Sequence, residues 1–474
     1  MNLNRRDFLF SSSAFFLAAG CRTSALFAGA PRLKFGVVSD IHVTTEESVA
    51  LFEKSLRIFK NEGVDAVMVP GDLTDWGLRP SFITVKNAWD RVFAGTGVVP
   101  LFCTGNHDYD GWAYSDISAE MRANGFSKEE RLSKDGEGHS RFALAKAWTE
   151  VFGTEFAPVR VRTVKGYDFI SSEWENTDGR EGARPFREWM AENGARFRGR
   201  KPFFVFQHAP MKGTTPDGNG WADKGDGFAA LKDFPNAIAF TGHSHVPFND
   251  ERSIWQGEFT AIATPSLSYA GTLGTHENSG GPRTGKCTKA MPRSTDRLNL
   301  RGGQGYLVSV YEDGMTVERL DLEEDGVEGA PAWVVPFTME RPYALAARAG
   351  KSVAPEFPAG AVLRTETRNG DNRRGEWAIL MDCRFPAAVP EKGARVYDYE
   401  LKIIPQDGSK PIVKRYVSPA YSRLARYEPS EMRFFFDTKE LPVGVDSVIE
   451  ARAYNCYGKA SRPIVSRTWH PVKA

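Results

Sequence analysis

Lys34-Phe35-Gly36-Val37-Val38-Ser39-Asp40-Ile41-His42 sets the reading of everything downstream. The apolar run Phe35 to Val38 has strand length and ends on polar groups. It is followed by Val49, Phe52, Leu56 and Phe59 at helical spacing, by Gly63 as a stop, and by a second apolar run, Val67 to Val69. A second amphipathic stretch, Phe82 to Phe93, leads into Val98 to Phe102. Strand, helix, strand, helix, strand is the order of βαβ units, which predicts an α/β fold. Further buried strands are expected at Tyr167 to Ile170, Phe203 to Phe206, Ile238 to Phe240 and Phe259 to Ala263, and a hairpin at Tyr306 to Val310 with Met315 to Leu320.

Short polar clusters directly follow five of these runs. They are Asp40-Ile41-His42, Gly71-Asp72-Leu73-Thr74-Asp75, Gly105-Asn106-His107-Asp108, Gln207-His208 and Gly242-His243-Ser244-His245. In an α/β sheet, ligands collect beyond the carboxyl ends of the strands, so all five should converge on one rim. The donors are carboxylate, imidazole and amide oxygen with no thiolate, a set that suits Mn, Fe or Zn. If Asp40-x-His42 and His243-x-His245 are extended, the middle residue turns away and both partners share one side. Asp40, His42, Asp72, Asn106, His208, His243 and His245 are seven ligands, too many for one tetrahedral ion and suited to two that share a carboxylate. Only Asp40 and Asp72 among them are anionic, so two divalent ions leave about two units of positive charge, enough to attract a phosphate.

The five blocks, D-x-H, G-D-x-x-D, G-N-H-D, H and G-H-x-H, lie in this order between Asp40 and His245, and in this the sequence resembles the calcineurin-like metallophosphoesterase superfamily. The resemblance implies two mixed sheets flanked by helices, an αββα sandwich. It implies two divalent or trivalent ions, one held by Asp40, His42 and His245, the other by Asn106, His208 and His243, with Asp72 bridging. It makes His107 the acid near the leaving group, oriented by Asp108. Asp75 stands where purple acid phosphatases carry a chromophoric tyrosine, so no purple colour is expected, and its role is expected to be structural.

At 474 residues the chain exceeds the size of one growing core, and two domains are expected. With 41% hydrophobic and 26% charged residues the composition is globular, and a net charge of +1 gives no global attraction to nucleic acid or membrane. Residues 1–30 read as an export signal: Arg5-Arg6 precedes the apolar run Phe8 to Ala19, which is too short to span a bilayer and resembles the twin-arginine type. Ala18-Ala19-Gly20-Cys21 resembles a lipoprotein cleavage box, making Cys21 a candidate lipid anchor and the location periplasmic or at the cell envelope. Residues 31–329 are assigned to the first domain and the Pro- and Ala-rich residues 330–360 to a linker.

Residues 361–474 then carry strand patterns at Trp377 to Phe385, Val396 to Ile404, Ile412 to Val417, Met432 to Phe436 and Val448 to Tyr454, spaced as a small all-β sandwich. The run Ala451 to Gly458 resembles a fibronectin type III strand and turn, with Ser447 where such domains usually carry a tyrosine. Cys456 falls on the opposite parity to the inward positions Ile449, Ala451 and Ala453, so no bridge to Cys383 is expected.

The function expected is hydrolysis of a phosphorylated small molecule, a phosphodiester such as a cyclic nucleotide ahead of a phosphomonoester. The alternative is a surface binding protein that keeps an inactive scaffold. Tyr109, Trp112 and Tyr114 could stack on a base or pack the insertion. The stretch Ser266 to Gly303, with Arg283, Lys286, Lys289, Arg293, Arg297 and Arg301, is either a functional loop or a solvated one.

Overall fold

The computed structural model describes residues 27, 29–110, 120, 122–125, 144–174, 184–217, 220–271, 276–278, 302–372, 375–421, 424, 429–441 and 444–471. Residues 1–26 and 28 of the expected export signal, Cys21 among them, and Trp112, Tyr114 and the basic residues from Arg283 to Arg301 lie outside them.

In chain order the first domain holds β1 (Leu33–Val37), α1 (Glu46–Asn61), β2 (Ala66–Pro70), α2 (Arg79–Phe93), β3 (Val99–Cys103), α3 (Asn106–Asp110) and α4 (Leu144–Phe152). There follow β4 (Val159–Val164), β5 (Tyr167–Ser172), α5 (Arg184–Asn193), β6 (Phe203–Gln207), α6 (Asp226–Leu231), β7 (Ala237–Thr241), β8 (Ile254–Gln256), β9 (Thr260–Ala263), β10 (Gln304–Val310), β11 (Gly314–Asp321) and β12 (Val327–Pro336). One sheet has the order β12-β11-β10-β1-β2-β3, the other β4-β5-β6-β7-β9-β8. β1, β2 and β3 are mutually parallel, as are β5, β6, β7 and β9, while β10 joins β1 antiparallel. Both sheets are therefore mixed.

The two sheets pack face to face because their strands are apolar on both sides, as parallel strands covered on both faces must be. Phe35, Val37, Met68 and Leu101 of the first sheet meet Phe169, Phe204, Phe206 and Phe240 of the second in one buried layer. Val67 and Val69, on the opposite parity, pack beneath Phe52, Leu56 and Phe59 of α1 and Phe82, Val85 and Trp89 of α2. On the far side Ile170, Val205 and Ala239 lie under Phe186 and Met190 of α5 and Leu231 of α6. The result is the αββα sandwich that the resemblance implies. α1 starts where it does because Thr45 and Ser48 form a reciprocal capping box.

The linker expected from residue 330 starts later. β12 continues the first sheet to Pro336, with Ala330, Trp333 and Val335 buried. β12 is the edge strand, and an edge strand tolerates the prolines that made this stretch read as a connection. A short helix, α7 (Leu345–Lys351), follows.

The C-terminal part is all antiparallel. β13 (Arg364–Asp371), β14 (Trp377–Pro386) and β17 (Glu431–Asp437) form one sheet. β15 (Asp398–Pro405), β16 (Ile412–Val417), β18 (Ser447–Tyr454) and β19 (Ile464–Val465) form the other, in the order β16-β15-β18-β19. Met381, Cys383, Phe385, Phe434 and Phe436 from the first meet Tyr399, Leu401, Ile449, Ala451 and Ala453 from the second. This is the small β-sandwich expected, with β13 and β19 added to the strands read from sequence. Cys103, Cys383 and Cys456 are free thiols.

Candidate metal centre

Each polar cluster sits just past its strand: Asp40 and His42 after β1, Asp72 after β2, Asn106 after β3, His208 after β6, and His243 and His245 after β7. Because these strands are parallel within each sheet, their carboxyl ends share one edge, and the side chains converge there. His245 Nε2 lies 3.0 Å from Asp40 Oδ1 and His42 Nε2 lies 3.6 Å from Asp72 Oδ2. His208 Nε2 lies 3.2 Å from Asp72 Oδ2 and 3.1 Å from Asn106 Oδ1. The rings of His208 and His243 are 4.8 Å apart.

His42, Asp75 and His107 form one group of donor atoms, and beside it are two more: Asp40, His42, Asp72 and His245 in one, Asp72, His208 and His243 in the other. The Asp72 carboxylate belongs to both of the latter. Asn106 joins the last group through its amide oxygen at His208. All seven residues named from sequence are thus brought together.

The backbone here is not the extended segment expected. Asp40, His42, Asp72, His243 and His245 have φ of 50°, 44°, 50°, 66° and 51°, all left-handed. Among the described non-glycine residues only Lys165 and Asp325 share that region. Ile41 does turn away, into the core beneath α1, so Asp40 and His42 still reach the rim together. Backbone crowding leaves no room for side chains between the clusters. A Cβ on Gly105 would strike the Asp72 carboxylate, and one on Gly242 would lie 2.8 Å from Asp40 Oδ2.

The imidazoles are held from behind. His208 Nδ1 donates to Pro70 O (2.9 Å), His245 Nδ1 to Tyr269 O (2.8 Å), and His42 Nδ1 meets Asp75 Oδ1 at 3.1 Å. These contacts turn each Nε2 towards the carboxylates, as the outer partners of metal-ligating histidines do.

The electrostatics favour cations. Burial by itself would raise the Asp40 and Asp72 carboxyls, yet the surrounding imidazoles, His245 and His208 for Asp40 and His208 and His107 for Asp72, hold both below the usual carboxylate range. Burial would lower His208, but Asp72 and Asp40 raise it to about 9, so it carries a proton in place of other positive charge. Burial and the His208 charge push His243 down to about 3, and burial lowers His42, leaving both as neutral lone-pair donors. His42 Nε2 is buried and has no hydrogen-bond partner. An orphaned imidazole nitrogen beside a shared carboxylate fits a metal ligand better than a structural histidine.

Asp108 does not orient His107. Its buried carboxylate accepts Thr74 N (2.9 Å) and Thr74 Oγ1 (2.9 Å) on Oδ1, and Leu73 N (3.1 Å) and Gly105 N (2.9 Å) on Oδ2, so it ties the loop after β2 to the loop after β3. Burial and Asp72 nevertheless push it up to about 7 against these four donors. His107 is oriented by Asp75, whose carbonyl meets His107 Nδ1 at 2.9 Å, while its own N–H donates to Asp72 Oδ1 (2.9 Å). Asp75 therefore serves both His42 and His107, more than the structural role expected of it. Tyr109 is buried in the core under α2, which corrects the stacking role considered for it.

Four further residues were not singled out from the sequence. Tyr269 supplies the carbonyl to His245, and its ring lies 4.2 Å from that of His245. Trp174 lies 5.5 Å from the His243 ring, and half-exposed Trp221 lies 5.2 Å from it on the solvent side. Glu173 accepts both Thr104 N (2.8 Å) and Thr104 Oγ1 (2.9 Å) and pairs with Arg160, fixing the approach to Asn106. The available signal was Ser171-Ser172-Glu173-Trp174, a polar cluster after the apolar run of β5 like the five that were recognised.

Solved structures that resemble the chain include a dimetal phosphatase from Danio rerio, 12% identical, covering 65% of this chain and 100% of its own, with a TM-score of 0.38. A purple acid phosphatase from yellow lupin (Lupinus luteus) seeds is 12% identical and covers 64% of this chain and 53% of its own, with a TM-score of 0.35. A two-domain fibronectin type III segment of chicken tenascin is 15% identical and covers 36% of this chain and 67% of its own, with a TM-score of 0.16. Among curated proteins none matches. The family model of the calcineurin-like phosphoesterases matches residues 33–247, the stretch from β1 to the last histidine block.

Proposed function

We propose that this chain is an exported, metal-dependent phosphoester hydrolase acting on phosphodiesters at a dinuclear site. The observation that carries the reading is the Asp72 carboxylate, shared by two groups of converging donors. Two ions bound there supply Lewis acidity, which draws in the phosphoryl group, spreads its developing charge and makes water a better nucleophile near neutral pH. Mn, Fe and Zn all suit the nitrogen and oxygen donors.

The chain's own groups do the rest. Asp40 and Asp72 stay ionised and set the charge of the pair. Tyr269, Pro70 and Asp75 fix which imidazole nitrogen faces inward. With Nδ1 of His107 against the Asp75 carbonyl, a second proton on this ring sits on Nε2, so the imidazolium is the acid available to a leaving oxygen. Such general acids contribute about 10²–10⁴-fold. Diester preference is supported by apolar rings on two sides of the site, Trp221 beyond His243 and Tyr269 beyond His245, one for each substituent of a diester.

The test is hydrolysis of bis-p-nitrophenyl phosphate and p-nitrophenyl phosphate by metal-free chain with Mn²⁺, Fe²⁺ or Zn²⁺ restored. Activity that disappears in chelator, returns with metal and favours the diester is expected. Inactivity with every metal supports the binding-protein alternative instead, and a monoester preference removes the diesterase part. Export is supported by Arg5-Arg6 and the apolar run after them. Mass spectrometry of the mature N-terminus distinguishes a lipid-modified Cys21 from a soluble product, and an uncleaved cytoplasmic chain refutes export.

A further inference from the structure

His245 is positioned by two stretches of chain, and both are fastened to the C-terminal sandwich. The first is its own continuation. Four residues on, Asn249 Nδ2 donates to Tyr421 O (3.0 Å), and the Tyr421 hydroxyl donates to Asp250 Oδ2 (2.7 Å). Arg252 pairs with the same carboxylate at 2.6 Å and lies over the Tyr397 ring at 4.7 Å. Asp250 and Tyr421 are both buried, so neither can exchange its partner for water.

The second stretch leaves β9 and passes under the site. Ser266 Oγ donates to Asp40 O (3.2 Å), Tyr269 O accepts His245 Nδ1 (2.8 Å), and Gly271 N donates to His245 O (2.6 Å). The same stretch then reaches the sandwich. His276 Nε2 meets Asp398 Oδ2 at 2.9 Å, and Asp398 is also paired with Arg415 at 2.8 Å. Asn278 bonds Val417 through both ends of its amide, Nδ2 to Val417 O and Oδ1 from Val417 N, each at 2.9 Å. Glu277 N donates to Arg415 O (2.8 Å). Arg415 and Val417 lie on β16, the edge strand of its sheet, where alternate backbone groups point outward. Residues 276–278 cover that edge.

All of these anchors occupy one end of the sandwich, where Tyr397, Val417 and Tyr421 form their own buried cluster. In the other half, His208 and Asn106 have no such dependence among the contacts described. His208 is tied to Pro70 and Asn106 within the first domain.

We infer that the C-terminal sandwich is a working part of the metal centre: by holding residues 246–250, 266–271 and 276–278 it seats His245, and with it the Asp40, His42 and His245 half. Asn278, Asp398 and Tyr421 are positioning residues for that half. The metal readout rests on the dinuclear reading above; the backbone readout does not.

The experiment uses the full chain, wild type, Asn278→Ala, Tyr421→Phe and the double variant. Hydrogen exchange of the metal-free chain is followed by mass spectrometry, and Zn²⁺ binding by calorimetry. In the variants, exchange is expected to quicken several-fold in peptides covering residues 242–250 and 264–271 and to stay unchanged in 203–208. One of two Zn²⁺ classes should weaken at least tenfold while the other holds within twofold. Unchanged exchange overturns the inference, as does quickening throughout, which signals general loosening. So does quickened exchange with both metal classes intact. Should the wild type bind no Zn²⁺, the dinuclear reading is lost and exchange alone decides whether the sandwich holds these segments.

Discussion

Above about pH 7, where Asp108 is ionised, replacing it by asparagine removes a charge and turns one of two acceptor oxygens into a donor, at a carboxylate on which four donors converge. Each oxygen receives two of them, Thr74 N and Oγ1 on one, Leu73 N and Gly105 N on the other. With the NH₂ towards Thr74, whose hydroxyl can accept as well as donate, at least the Thr74 N bond disappears, and with it on the other side both Leu73 N and Gly105 N lose their acceptor; at about 1.5–3 kcal/mol each the loss is about 1.5–6 kcal/mol. Against a domain stability of about 5–15 kcal/mol this is large. At about 2–4 °C per kcal/mol for a domain of 150–250 residues, and no more for this larger one, the first domain's unfolding midpoint should fall by at least about 3 °C. Leu73 and Thr74 follow Asp72, and Gly105 precedes Asn106, so metal content should fall as well. Scanning calorimetry and metal analysis of purified Asp108→Asn measure both. The reasoning is refuted if the variant melts within about 2 °C of wild type with full metal content and loses only turnover, the result expected had Asp108 merely aimed His107.

His107→Ala should lower turnover by about 10²–10⁴-fold with metal content intact, whereas Asp72→Ala should empty both halves, as metal analysis of each variant will show. Trp221→Ala should raise KM for bis-p-nitrophenyl phosphate more than for the monoester, because the ring lies on the open side of His243; equal changes remove its role in substrate choice. Metal uptake at pH 7.5 should release protons, since His208, raised to about 9 by Asp72 and Asp40, is protonated in the metal-free chain; calorimetry in buffers of different ionisation enthalpy reads the number. Burial would raise Asp250, but Arg252 and Tyr421 hold it below its unfolded value of about 3.9. Its stabilising contribution is therefore present above about pH 4 and lost as pH falls through the folded value, and Asp250→Asn should flatten the fall of the unfolding midpoint below pH 4.

What the sequence conveyed follows from where side chains carry the information. β1, β2, β6 and β7 are buried on both faces and read as unbroken apolar runs, and the ligand clusters directly follow them. β4 was missed because Arg160 and Arg162 alternate through an edge strand, and β12 because Pro331 and Pro336 suggested a connection. β13 reads Arg-Thr-Glu-Thr-Arg-Asn-Gly-Asp and has hardly any apolar signal, since most of it is open to solvent. Within the site, imidazoles and carboxylates were legible by type. The groups that aim them were not, because the Pro70, Asp75 and Tyr269 carbonyls are backbone atoms that any residue supplies. The misassigned role of Asp108 has the same origin: proximity to His107 in sequence said nothing about which way a residue on a short helix points.

The left-handed backbone at the rim connects these levels. A left-handed non-glycine residue costs about 1–2 kcal/mol, and five of the seven candidate ligands are in that conformation. Glycine would remove the cost but carries no donor atom, so the position must be filled by the residues that both ligate and tolerate positive φ. Asp, Asn and His are enriched there. The conformation is held by hydrogen bonds that each link two of the strand-end loops: Asp40 N to Gly71 O, His42 N to Asp72 O, and His243 N to the Asp40 carboxylate. Buried Ile41 and Leu73 anchor the same turns from below. Strain concentrated where the donors are, and held by neighbours from both sheets, is the pattern of a preorganised site. The loops after β1, β2 and β7 therefore hold their ligands in this conformation together, each through a hydrogen bond to another.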